Sequence, residues 1–269
     1  MVLKNKFILL FQGRTGSSYL KESLNSHPDI IMQGEVWAGM KYIPKNKRKQ
    51  NAKKQLEWAQ KFFGKTYNKK IKAIGFKTKF IDVLDPKEFA RFLEQNNIKI
   101  IYMTRQNIVK LTISEINARR LYNKIKVWNL SSEKYHLQAF NLNLNRFKKR
   151  LKEKEQMETK LKIYIKTLNL PILKIYYEDL LMDEFEILRK INKFLEVPFR
   201  KTKGNSIKNT SDNLREVLLN FDEIQSHYIG TKYESMFDEV LSRKRAKLPF
   251  YRRFYERLKR VLSKKIFLG

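Results

Sequence analysis

Two short segments of this chain carry residue types able to hold anions, and each follows an apolar run. The first, Arg14-Thr-Gly-Ser-Ser-Tyr19, comes just after Phe7-Ile-Leu-Leu-Phe11 and leads into a helical pattern of Tyr19, Leu20 and Leu24. A strand, a small-residue turn and a helix start aim backbone N–H groups and a helix N-terminus at one point, where an anion can sit. Arg14, Thr15, Ser17 and Ser18 add a guanidinium and three hydroxyls around Gly16. The second segment begins at Thr104-Arg105, after Lys99-Ile-Ile-Tyr-Met103, and reaches Ser114 nine residues beyond the arginine. Arg105 falls at a strand end and Ser114 about two turns up the following helix, so both can reach one further anion.

The first turn is not a Walker A loop, because Gly16 is followed by Ser-Ser-Tyr and the Gly-Lys-Ser/Thr ending is absent; this counts against a nucleotide kinase. Ser and Thr are also ordinary helix caps, which would make the turn merely structural. Arg105 speaks against so bland an account of both segments. A cation at a helix start is disfavoured by the helix dipole unless an anion is bound there.

The elements that would position these residues alternate between strand and helix. Strands are expected at Phe7–Phe11, Asp29–Met32, Ala73–Lys77, Lys99–Met103 and Pro171–Tyr177. Helices are expected after Gly16, over Pro86–Asn96, from Asn107 onward, in one or two pieces across 133–168, and from Glu178 to about Leu195. Such alternation predicts an α/β fold with a parallel sheet and right-handed crossovers. Ligands of such sheets bind at the carboxyl ends of strands, so both anion segments are expected in one crevice. From Lys41 to Lys72 the chain is basic and polar, with a helical pattern at Leu56, Ala59, Phe62 and Phe63, and reads as a surface piece or lid rather than core; 38–72 and 119–168 are expected to shape an acceptor pocket. Glu178 and Asp179 are expected to cap the helix that follows them, and His27, before Pro28, to serve a turn.

The chain has 269 residues, no cysteine, three histidines and a net charge of +31. That length suits one sizeable core. Without cysteine there are no disulfides, thiolate nucleophiles or Cys-based zinc sites, and few histidines make a metal site improbable. The first residues carry no signal-peptide pattern and no apolar run nears the roughly 20 residues of a membrane span, so the cytoplasm is expected. The charge calls for anionic partners. A non-catalytic nucleic-acid or polyanion-binding protein is the rival reading, although no recognised nucleic-acid module is present and the basic residues are spread out. Residues 242–269 hold eleven Lys/Arg against Glu256. From Pro249, their apolar residues (Phe250, Phe254, Leu258, Val261, Leu262, Ile266) share one helical face. A basic amphipathic C-terminal helix is expected, touching an anionic inner membrane surface through 249–268 or packing on the domain formed by residues 1–241.

With these segments in order, the chain resembles the sulfotransferases that use 3′-phosphoadenosine 5′-phosphosulfate (PAPS), nearest to the bacterial carbohydrate type. The Arg14–Ser18 loop matches the family's 5′-phosphosulfate loop, with Tyr19 beside it, and Arg105 with Ser114 matches its 3′-phosphate pair. Tyr177–Leu180, Phe194–Val197 and the later segments from Lys208 and Gly230 also resemble family elements, so the likeness spans about residues 3 to 240. It implies a P-loop-like three-layer fold, PAPS as donor with PAP as product, no metal, and a hydroxyl of a carbohydrate or glycolipid as acceptor. It implies Glu35 as general base, after the second strand, with a pKa that burial would need to raise. Lys77 is the second cation near the transferred group.

Overall fold

The computed structural model describes residues 5–130 and 135–241. The expected C-terminal helix at 242–269, and residues 133 and 134 of the expected 133–168 helices, lie outside the described residues. Five strands, β1 (Asn5–Phe11), β2 (Ile30–Glu35), β3 (Ala73–Lys79), β4 (Lys99–Thr104) and β5 (Ile172–Tyr176), form one sheet in the order β2-β3-β1-β4-β5. All four pairings are parallel.

The alternation of β1 sorts the helices into two layers. Ile8 and Leu10 join Phe76 and Tyr102 on one face, under α2 (Lys45–Gly64), α3 (Pro86–Gln95) and α5 (Leu144–Thr167). Phe7, Leu9 and Phe11 face the other way, against α1 (Ser17–Asn25), α6 (Tyr177–Met182) and α7 (Glu184–Phe194). With every central strand covered on both faces, each reads as a continuous apolar run. A third cluster joins α4 (Ile108–Ile125) to α5, α8 (Phe221–Ser226) and α9 (Glu234–Asp238).

Several sequence expectations are revised. Helix α2 is not a detached surface piece: Ala59, Phe62 and Phe63 are buried against Phe76, and Trp37 packs edge-on to the same ring at 5.1 Å. Its apolar positions were legible at helical spacing, but the many lysines around them made the helix read as surface. Residues 136–143 are not helical, and α5 begins at Leu144, capped by Asn143. The helix expected from Glu178 to Leu195 breaks at Asp183, whose carboxylate accepts from the Glu186 N–H and starts α7 afresh. Glu178 caps elsewhere, accepting from the Gln106 and Asn107 N–H groups at 3.1 Å, at the entry to α4. His27 is structural, as expected: its Nδ1 accepts from the Asp29 N–H and its Nε2 lies 2.8 Å from the Pro198 carbonyl.

Gly75 shows how closely β3 lies on its neighbour. A Cβ there would sit 2.5 Å from the Phe7 carbonyl oxygen and 2.7 Å from two Phe7 ring carbons. Backbone cannot yield as a flexible side chain can. Gly75→Ala is therefore expected to cost about 1–3 kcal/mol, read as a lower urea midpoint with an unchanged m-value.

Candidate active site

Strand order decides where a ligand can sit. From β1 the chain crosses to β2 on one side, whereas from β4 it crosses to β5 on the other, and β1 and β4 are neighbours. Their carboxyl ends flank the topological switch point, where departing loops diverge and leave a crevice. The Arg14 loop leaves β1 and the Arg105 turn leaves β4, so both anion segments meet there.

The first loop is held in an uncommon backbone form. Arg14 has φ 71° and Gly16 φ 82°, both left-handed. For arginine that conformation is strained, and such strain persists only where the surroundings enforce it. At Gly16 a second reason applies, since a Cβ would lie 2.8 Å from the Tyr177 ring. The same ring carries the Arg105 guanidinium at 4.5 Å, so Tyr177 packs between the two anion segments. Arg14 Nε donates to Ser114 Oγ at 3.3 Å, while its Nη1 donates to the Trp128 carbonyl at 3.1 Å and to Asn129 Oδ1 at 3.0 Å. Ser114, expected to serve Arg105's anion, is thus tied to Arg14.

Like charges converge here. Burial and then the charge of Arg105 lower the pKa of Arg14, with Tyr177, Glu115 and Glu35 acting in the opposite sense. Arg105 is nearly buried, and among the described residues its ion-pair partner is Glu178, at 4.0 Å. Burial pushes the Glu178 carboxyl up, against the pull of Arg105. Among the described residues, Thr15 Oγ1 and Arg105 Nε are buried without a hydrogen-bond partner. Unpaired buried polar atoms beside two cations are costly, and an anion reaching them would relieve that cost. A phosphosulfate with a second phosphate fits this donor set.

Glu35 stands at the end of β2, in the strand rather than in the expected loop. The β2–β3 register shifts between Gln33 and Glu35, a bulge at Gly34 that sets Glu35 opposite Lys77. Lys77 Nζ lies 3.2 Å from Glu35 and donates to Ser18 Oγ at 2.9 Å, which joins the carboxylate to the donor loop. Lys79, two residues on and on the same strand face, is bonded to the other carboxylate oxygen. Burial raises the Glu35 carboxyl, but Lys77 and Lys79 outweigh it and hold the pKa below the ordinary value. The shift is opposite to the one a base near neutral pH was expected to need. Burial lowers the Lys77 ammonium, with Glu35 opposing it.

A cavity of about 390 Å³ opens between these groups, lined by Ser18, Gly34, Lys77, Asn129, Asn205 and Ser206 among others. Glu22 fixes its outer wall by accepting from the Asn205 and Ser206 N–H groups and from Ser206 Oγ. A larger groove of about 740 Å³ runs between α3 and α5, on the flank of the sheet rather than at its strand ends. On the far side of Arg14, Gln12 donates to the Lys154 carbonyl and to Glu158, pinning α5 to the donor loop.

Arg14, Thr15, Gly16, Ser17, Ser18, Glu35, Lys77, Arg105 and Ser114 therefore lie around the carboxyl ends of β1, β2, β3 and β4. Tyr19 points elsewhere, its hydroxyl donating to Glu184 at 2.6 Å on α7. Sequence reasoning gave no site role to Lys79, Tyr177 or Asn129. The two-residue period of a strand could have placed Lys79 beside Lys77, and Tyr177 opens the segment Tyr177–Leu180 already singled out; nothing local marks Asn129.

No family model matches the sequence. It is 24% identical over 237 residues to nodulation protein H of Rhizobium tropici, across 86% of this chain and 92% of that protein. Among solved structures it is similar to a sulfotransferase from Alicyclobacillus acidocaldarius, at 15% identity and TM-score 0.49, over 89% of this chain and 98% of that one. It is also similar to a mouse sulfotransferase complexed with PAP, at 14% identity and TM-score 0.43, over 98% and 89% of the two chains.

Proposed function

We propose that this chain, a member of the PAPS-dependent sulfotransferase family, moves a sulfuryl group from PAPS to a hydroxyl of a carbohydrate or glycolipid. One observation carries the reading. Arg14 and Arg105 converge at the switch point beside two buried polar atoms, Thr15 Oγ1 and Arg105 Nε, that have no hydrogen-bond partner among the described residues.

PAPS supplies a sulfuryl group already activated on a phosphate leaving group. The work left to the protein is alignment and the stabilisation of spread negative charge. Arg14, with the Gly16, Ser17 and Ser18 donors, holds the phosphosulfate, while Arg105 and Ser114 hold the 3′-phosphate side. Lys77 bridges Ser18 and Glu35, so it stands between the anion and the base. Glu35 takes the proton of the attacking hydroxyl, in line with the departing phosphate. An anion drawing the Lys77 ammonium toward Ser18 weakens its hold on Glu35 and makes the carboxylate a better base.

We place the protein in the cytoplasm, with the basic segment 249–268 either touching an anionic inner membrane surface or packing on the domain; its sequence pattern suits both. Among the described residues no helix is long and apolar enough to cross a membrane.

Calorimetric titration with PAP tests the reading. Wild type is expected to bind, and Arg105→Ala to bind about tenfold or more weakly, since a charge-assisted contact contributes about 1.5–3 kcal/mol. Binding of equal strength in Arg105→Ala, or its complete loss at moderate salt in wild type, would favour a non-specific polyanion binder instead.

A further inference from the structure

One face of α4 leads away from the transfer site. Ser114, bonded to Arg14, is followed by Glu115, and Glu115, Arg119 and Tyr122 then share a face at intervals of four and three residues. Over those seven positions the helix rises about 10 Å. Glu115 is ion-paired with the nearly buried Lys154 of α5, and lies 3.7 Å from Arg119. At the outer end the Tyr122 ring stacks on Trp128, with centroids 4.5 Å apart and planes at 18°.

Trp128 is unlike the other two tryptophans. Trp37 is buried, and Trp58 stacks on Phe62 against the core. Trp128 is 47% exposed. Its backbone carbonyl accepts from Arg14 Nη1, so the residue bearing the exposed ring is held by the one assigned to the sulfuryl group.

Resting on the sulfotransferase reading above, we propose that this strip is the acceptor subsite, and that the acceptor is an oligosaccharide of at least two sugar rings rather than a small alcohol. A sugar ring offers an apolar C–H face and an edge of hydroxyls. Stacked aromatics accept the face; a carboxylate and a guanidinium take the hydroxyls in pairs. The strip's length matches two or more rings in file. The charges do not call for a polyanion: Glu115 offsets one of the two positive charges of Arg119 and Lys154, and Lys154 is nearly buried. The apolar part, Tyr122, Trp128 and the neighbouring Val127, is too small to seat a protein partner.

The test uses full-length protein, saturated with PAP and fluorescently labelled, on an array of immobilised mono- to hexasaccharides. Wild type should be retained by particular oligosaccharides and not by the corresponding monosaccharides. Trp128→Ala should weaken that retention about tenfold, and Trp128→Phe should restore most of it. PAP affinity, measured by calorimetry, should be similar in all three, because the carbonyl that meets Arg14 is kept. Retention of no glycan, or equal retention by Trp128→Ala, would overturn the proposal even if PAP binds. Trp128-dependent glycan retention without PAP binding would instead leave the strip standing and remove the donor assignment.

Discussion

Arg14→Ala is expected to lower kcat/KM for sulfuryl transfer by about 10²–10³-fold, the loss typical when one preorganised donor to developing charge is removed. The effect should fall mostly on kcat. Arg14 is preset for its task by three hydrogen bonds, to Ser114, the Trp128 carbonyl and Asn129, and by a backbone conformation that arginine seldom adopts. Such a group needs no reorganisation when charge spreads over the transferred oxygens. Arg14→Lys should recover little, because a single ammonium cannot replace the guanidinium's separate bonds to Ser114 and the 128–129 loop. Steady-state kinetics with PAPS, beside PAP calorimetry on the same variants, separates lost transition-state stabilisation from lost donor binding. A change in KM alone would show that Arg14 only binds.

Glu35→Gln is expected to lower kcat by about 10²–10⁴-fold, the usual contribution of a positioned general base. The wild-type pH profile should also carry its signature. Lys77 and Lys79 hold the Glu35 carboxyl below its ordinary range. A base works while ionised, so activity should persist as pH falls to that range and decline only when the pH passes below the lowered pKa. Lys79→Met removes one of the two cations, so the carboxyl's pKa rises and the acid limb should move to higher pH. Lys77 remains to hold the carboxylate in place. An acid limb that stays put in Lys79→Met would show that another group titrates there. Folding of Glu35→Gln should be checked by its thermal midpoint, since the change leaves two lysines without their carboxylate and breaking such a pair is destabilising.

Much of this site was legible along the chain because its signals are local. An apolar run, a small-residue turn and a helix start fall within about fifteen residues at Phe7–Leu20, and the second segment repeats the pattern at Lys99–Ser114. The order of these pieces implied an alternating α/β fold, and the sheet has it. The misses arose where sequence-local reasoning gave the wrong neighbour. The lysines of α2 made it read as surface although its apolar positions were legible. Tyr19 looked like part of the donor loop but turns to Glu184, on a helix more than 160 positions away.

Residue types and their spacing along the chain determined the anion cradle at Arg14–Ser18, the partner at Arg105, the alternating elements and the surplus of positive charge. Each depends on contacts within one strand, turn or helix, whose geometry is set by bonded neighbours. Only the tertiary structure decided that β1 and β4 are adjacent and diverge, that a bulge at Gly34 turns Glu35 onto Lys77, that Lys79 closes the clamp, and that Trp128 lies beside Arg14. These are meetings between residues tens to over a hundred positions apart. Their electrostatic outcome depends on distance and burial, which is why the Glu35 carboxyl is lowered where burial alone would have raised it.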